Sequence, residues 1–353
     1  MSATEQANPP ADPPANPMDK LWDYMKGFHA VHHMAMGVEM DLFKKIHEAG
    51  NDGCSPAKLA AGLELHPLYV DVWCRTGYHY GILEAGENGA FCLAEMMDAA
   101  LVNTSDPRNL AGYLRATVSY GSDDLRSYPE YFRSGGAHRF QEHGEEFSRH
   151  VGDATAGFHT VLAKRMLGGV PGLADKLEAG GKVLDVGCGI GGLMIKVAQA
   201  WPNAHCVGVD IDPFGINQAQ ANIAASDVAD RLVVEAVGPD GIGHDGEFDL
   251  AIMMEVLHEI DDGIRPDVVR DVAKSLKPGG MLFILDETYP SDLAGLRDPS
   301  YNFAVQTQFN ELIWGNIVPT IEMQTELFAN AGLVETIRQD VGGMFTMLVA
   351  TKE

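Results

Sequence analysis

Between Lys182 and Asp286 the chain repeats one pattern: a short apolar run of strand length, then a helical stretch, then another run. The runs are Lys182–Val186, His205–Asp210, Leu232–Val237, Phe248–Met254 and Met281–Asp286. Strands separated by helices of this kind pair in parallel, because a parallel neighbour can be reached only by a long crossover. The segment therefore predicts an α/β fold, a Rossmann-like doubly wound sheet. Leu333–Ile337 and Phe345–Val349, around Gly342-Gly343, predict a closing hairpin.

The 353 residues suggest roughly two domains. Residues 1 to about 18 are rich in Pro, Ala and Asn and predict a disordered tail. A helical pattern runs from Met18 to about Gly50, with Met34, Val38, Leu42 and Ile46 at spacing four. Its five Met between Met18 and Met40 suit either plain core packing or an adaptable dimer surface. Ser55-Pro56 opens a short helix, a second follows from about His66 to Tyr80, and residues 81–93 read as a hairpin. Helix, turn, helix, hairpin is a winged-helix-like order. Residues 19–105 are thus expected to form a mainly helical N-terminal dimerisation domain. Residues 106–178 are expected to be a helical linker and substrate lid, broken at Gly121, Pro129 and Gly135-Gly136, and 179–353 the catalytic domain.

Charge narrows the partners. The net charge is −25, which repels phosphate backbones and anionic lipid headgroups. The second helix of the winged-helix-like unit carries only Arg75 as a cation, beside Asp71. A DNA-reading helix needs more, so no nucleic acid and no membrane partner is expected. No apolar run reaches the ~18 residues of a membrane helix. The five cysteines form no C-x-x-C pair, and no metal ligand set is expected. The N-terminus has no basic start or apolar stretch, so the expected location is the cytoplasm.

The first strand ends in Val183-Leu184-Asp185-Val186-Gly187-Cys188-Gly189-Ile190-Gly191. Glycines here let the backbone approach a ligand at the mouth of the sheet. Asp210 closes the second strand, where a carboxylate can accept both hydroxyls of a ribose diol. These residues resemble the first motif of class I S-adenosylmethionine-dependent methyltransferases, closely over residues 180–290. The resemblance implies S-adenosyl-L-methionine as cofactor. It places Asp185, Gly187, Gly189 and Gly191 by its methionine and ribose portions, Asp210 on the ribose and Ile211 on the adenine, with Glu255 also at the cofactor. It makes Asp240 the candidate for the adenine amino group, although Gly238-Pro239-Asp240-Gly241 reads equally as a plain turn.

The order of parts resembles the small-molecule O-methyltransferases, whose N-terminal domains dimerise. That resemblance implies a homodimer, a small-molecule acceptor and a catalytic His258 in Leu257-His258-Glu259-Ile260. His258 is then a general base for a hydroxyl acceptor, a substrate binder or a structural residue. Glu259 or Asp261 is expected to orient its imidazole. Gln306 and Asn310, at i and i+4 of a helix from about Asn302 to Trp314, either face the acceptor or are solvated. Tyr131 and Trp314 are further candidates for the pocket wall, and Leu285–Pro290 also draws attention. The layout is also similar to S-methyltransferases acting on 4-methylthio-2-hydroxybutyrate, on the path to dimethylsulfoniopropionate. A thioether acceptor needs no base. A non-catalytic cofactor-binding scaffold is the remaining alternative.

Overall fold

The computed structural model describes residues 16–104 and 106–353. It divides into two compact units, the first ending at Asp98 and the second beginning at Ala99. Of the tail expected over residues 1–18, positions 1–15 lie outside the described residues. Asn16 already caps a helix, its side chain accepting from the Met18 amide at 3.1 Å.

In the first unit the helical pattern expected to run unbroken to Gly50 is two helices, Pro17–Glu39 and Leu42–Glu48. Asp41, at φ 56°, turns the chain between them. Ser55 caps the helix Pro56–Gly62, Pro67–His79 follows, and β1 (Leu83–Ala85) pairs with β2 (Phe91–Leu93). Phe43, Ile46, Leu59, Val70 and Leu83 fill the centre, and His33 stacks on Trp73 at 4.7 Å. Gly37 makes this possible, since a methyl group there would fall 2.3 Å from the Phe43 ring. Leu21, Trp22, Met25 and Phe28 are instead half or more exposed. Arg75 is already bound to Asp71 at 2.8 Å.

The second unit is built on one seven-stranded sheet. Its strands are β3 (Lys182–Val186), β4 (His205–Asp210), β5 (Leu232–Ala236), β6 (Phe248–Met254), β7 (Leu276–Asp286), β8 (Leu333–Val341) and β9 (Phe345–Lys352). Their order is β5-β4-β3-β6-β7-β9-β8. The five strands β3 to β7 are parallel, and β9 enters antiparallel against β7. Successive residues go to opposite faces. Val183, Leu250 and Ile252 join one buried cluster, and Leu184, Ala251 and Met253 join the other. Both faces are thus covered, as a parallel sheet requires.

The helical segment ahead of the sheet departs from expectation at two of its breaks. Gly121 and Pro129 do not interrupt it: a helix spans Ser122–Ser134 with Pro129 inside, preceded by a helical turn ending at Gly121. Pro129 is exposed, so water can solvate the carbonyl its missing N–H leaves free. The helix ends at Gly135, at φ 67°. The next long helix is Glu145–Val161. Strand order reverses between β3 and β6, and at such a switch point the loops diverge and leave a crevice beyond the strand ends.

Candidate active site

That crevice is a cavity of about 330 Å³ within the second unit. Gly187 and Gly189 form one wall. Gly187 sits at φ 68°, and a Cβ there would fall 2.5 Å from Val256 Cγ2, so only glycine fits. A Cβ on Gly189 would meet nothing within 4 Å, which leaves the loop open toward the cavity. Gly191 does not line the cavity; its own Cβ would stand 3.2 Å from that of Ala219, where two helices approach.

Asp210 borders the cavity from the end of β4 and accepts from the Gly189 amide at 2.7 Å and the Asp212 amide at 2.8 Å. Ile211 beside it is 66 % exposed and forms part of the wall. Asp212 caps the helix Pro213–Ala224 and accepts from Ser148 Oγ at 2.7 Å. Asp185 is buried, one of its oxygens has no partner, and burial with Asp210 nearby pushes its carboxyl up to about 7. With Glu255, Glu259, Asp261 and Asp271, seven carboxylates border this cavity against the single guanidinium of Arg139. Asp240 is not among the lining residues: it is exposed in the turn Gly238–Gly241. Asp271, which the sequence did not single out, accepts from the Ile242 amide at 2.6 Å and holds that loop.

His258 lies behind the cavity wall, 2 % exposed. The group that orients its ring is Asp286, at the end of β7, rather than Glu259 or Asp261. Nδ1 is 2.6 Å from Asp286 Oδ1, and the Leu257 and Glu287 amides donate to the same carboxylate at 2.7 and 2.8 Å. Glu287 Oε2 lies 3.3 Å from Nδ1, and Glu311 Oε1 lies 3.9 Å from Nε2. Burial opposes a charge on the ring, but Asp286 and Glu287 outweigh it and raise its pKa well above the usual imidazole value. Asp286 itself is held below the ordinary carboxylate range: burial works against this, and His258 overcomes it. Glu287 is pushed by burial up to about 8, and Glu311 is raised by the same cause. Glu255 and Glu259 line the cavity and are raised by desolvation, Glu255 further by Glu287 and Glu259 by Glu311. Glu255 adopts φ 56°, a costly backbone for a non-glycine residue, at the turn where β6 meets the site. Asp261, at the cavity edge, pairs with Arg139 at 3.5 Å.

The helix expected to carry Gln306 and Asn310 into the pocket spans Asn302–Glu311, but both amides are exposed. The face turned inward is one residue further on. Thr307 donates to Glu287 Oε1 at 2.8 Å, and Glu311 accepts from Asn316 at 2.9 Å. Tyr131 does not border the cavity; the buried ring of its helix is Tyr128, stacked on Phe309 at 5.0 Å. Trp314 does border it, held by a 2.9 Å bond to Asp124 and packed edge-on against Phe147. Arg265, buried at 1 %, ties the His258 loop in place through the carbonyls of Ile260 and Ile317. Donor atoms of His258, Glu259 and Glu311 lie within 4.8 Å of one another, and so do those of His258, Asp286 and Glu287. In the second set the 2.6 Å contact is a hydrogen bond, too short to admit an ion between its atoms.

The fold is that of a class I methyltransferase. Residues 184–282 match the family model described as a methyltransferase domain. Human N-acetylserotonin methyltransferase superposes with a TM-score of 0.79 at 17% identity, over 97% of this chain and 99% of that one. An O-methyltransferase family protein from Burkholderia thailandensis gives 0.74 at 19%, over 95% and 98%. In sequence, the 27-O-demethylrifamycin SV methyltransferase of Amycolatopsis mediterranei is 33% identical over 138 residues, 39% of this chain and 48% of the relative. The ubiquinone biosynthesis O-methyltransferase of Pectobacterium carotovorum is 36% identical over 104 residues, 30% of this chain and 42% of the relative. The chain thus spans about half the length of the curated relatives it matches.

Proposed function

We propose that the protein is a methyltransferase that uses S-adenosyl-L-methionine to methylate a small-molecule acceptor. The observation that carries this is one cavity that joins the glycine loop, Asp210 and the Glu255–Glu259 edge in front of His258. The residues present fit such a donor. Gly189 leaves room for close approach, Asp185 offers an unpartnered buried oxygen, and seven acidic side chains line the cavity. Asp210 would hold the ribose diol, while Ile211, Val237 and Ile264 would wall the base. When bound, the donor supplies an electrophilic methyl group on a positively charged sulfur.

The relatives' names favour oxygen attack, for which His258 takes the acceptor's proton on Nε2 while Asp286 fixes the ring through Nδ1. The ring is held charged by its carboxylates, so the base form gains population only as pH rises, and the rate on a hydroxyl acceptor rises with it. Sulfur attack, with 4-methylthio-2-hydroxybutyrate as the particular acceptor, is the second reading. It is favoured by a His258 ring that is buried and held charged by its neighbours, a state in which it does not accept a proton. No proton leaves in that case, and the rate does not depend on a neutral His258. Labelled donor with phenols, hydroxy acids and thioether acids, read by mass spectrometry from pH 6 to 9, separates the two. A methyl ether with rising rate supports oxygen attack, a sulfonium with no such rise supports sulfur attack, and no labelled product from any acceptor overturns catalysis. We further propose a homodimer through the exposed Leu21, Trp22, Met25 and Phe28 face; a sedimenting mass of one 38.1 kDa chain would exclude it.

A further inference from the structure

The loop between the helices Ser122–Ser134 and Glu145–Val161 carries His143, whose side chain is 6 % exposed. Its Nδ1 lies 3.2 Å from the Arg139 carbonyl and 3.3 Å from the Phe140 carbonyl. Its Nε2 lies 3.2 and 3.3 Å from the two oxygens of Asp124. Among the described residues, every hydrogen-bond partner of this ring is therefore an oxygen that accepts. Only the imidazolium form carries a donor on both nitrogens, and a neutral ring would turn one lone pair toward an acceptor. Asp124 uses the same carboxylate to hold the Trp314 indole N–H at 2.9 Å. The Phe147 ring stacks on His143 at 4.3 Å and meets Trp314 edge-on at 5.2 Å. Next to Trp314, Gly315 brings the two segments close, since a Cβ there would stand 3.2 Å from that of Ala137.

Arg139, Phe140 and Trp314 all line the cavity. They stand on the His258 side of it. Asn316, two positions past Trp314, lines the cavity too and donates to Glu311, whose other oxygen is 3.9 Å from His258 Nε2. We propose that Asp124 and His143 are positioning residues for the acceptor end of the cavity, acting through Trp314 and the Arg139-Phe140 backbone. This rests on the methyl-transfer reading given above. The latch is complete when His143 is charged and loosens as pH rises through its titration. Burial opposes that charge, and Asp124 outweighs it and raises the ring's pKa. Burial likewise works against a charged Asp124, and His143 and Trp314 overcome it. On the same loop stand His138, edge-on to His143 at 4.2 Å, Glu142, 3.7 Å from His138, and Arg139, paired with Asp261. Glu311, on the helix Asn302–Glu311, feels Asp124 as a like charge.

The first readout is the Trp314 indole N–H signal in nitrogen-edited NMR of the full chain, identified by its loss in Trp314→Phe. It should move with pH in the wild type and stay flat in His143→Gln. In Asp124→Asn, which lacks the counter-charge, its midpoint should fall by about one pH unit. The indole signals of Trp22, Trp73 and Trp201 report that each variant is folded. The second readout is turnover of whichever acceptor is methylated in the labelled-donor assay. Its KM should rise about tenfold in His143→Gln, the size of a lost hydrogen bond. Both kcat and S-adenosylhomocysteine binding should stay within about twofold. In the wild type, KM should climb as pH rises through the His143 titration. A Trp314 signal that is flat in the wild type, or still titrates in His143→Gln, overturns the inference, and so does an unchanged KM. Wild-type protein without turnover overturns the function proposed above, and the Trp314 signal then decides the latch by itself.

Discussion

Asp286 shows how much one side chain can organise. It receives the His258 ring, the Leu257 amide and the Glu287 amide, all away from water. Truncating it leaves a buried imidazole without its counter-charge and backbone donors without acceptors. Breaking a buried pair in this way costs about 3–5 kcal/mol. Asp286→Ala should therefore lower the unfolding free energy by roughly that amount in urea titration, while Asp286→Asn, which still accepts one bond, should lose less. Equal stability in all three proteins would show that the pair does not hold the loop. The sequence marked Leu285–Pro290 as notable without assigning Asp286 to His258. The two lie 28 positions apart, and nothing in their spacing shows that β6 and β7 end side by side.

At the scale of the element, the helix Asn302–Glu311 is the instructive case. Its i, i+4 spacing was legible, but its rotation was not. A shift of one residue turns a helix by ~100°, so Thr307 and Glu311 face Glu287 and His258 while Gln306 and Asn310 face solvent. Gln306→Ala and Asn310→Ala should leave turnover within about twofold, as exposed substitutions do. Thr307→Val and Glu311→Gln should lower it by about tenfold or more, since each removes a bond or charge beside the imidazole. The reverse ranking in steady-state kinetics would place the working face elsewhere. Tyr131 and Tyr128 repeat the lesson on the helix Ser122–Ser134, where the buried ring lies three positions before the one expected.

For the whole molecule, the buried acids set how stability responds to pH. Asp185 titrates at about 7 and Glu287 at about 8 in the fold, while both would titrate near ~4 in the unfolded chain. The folded state then binds more protons than the unfolded one, and stability falls as pH rises through that range. The raised His258 acts in the same direction, because its ion pair stabilises the fold at low pH and that contribution is lost as the ring deprotonates. His159, lowered to about 4, has the opposite slope, but only between its folded value and the ordinary ~6.5. Between pH 6.5 and 8 the acids and His258 dominate. The melting temperature of the ligand-free protein should fall across that interval in a calorimetric series, and a rise would contradict the protonation pattern.

What the sequence determined by itself is local or periodic. The alternation of runs gave the doubly wound sheet, and Gly187, Gly189, Asp185 and Asp210 were singled out as a group that lines one cavity. Leu257-His258 was singled out as well, and lies buried behind that cavity's wall. Each of these is written in contiguous residues, because strand and helix periods and loop chemistry depend on near neighbours. The tertiary structure alone decided which carboxylates surround His258, which face of each helix looks inward, and that Asp124 reaches Trp314. Those contacts join segments far apart in the chain. They depend on strand order and on the rotation of each helix against the sheet, quantities set by packing that no residue spacing encodes.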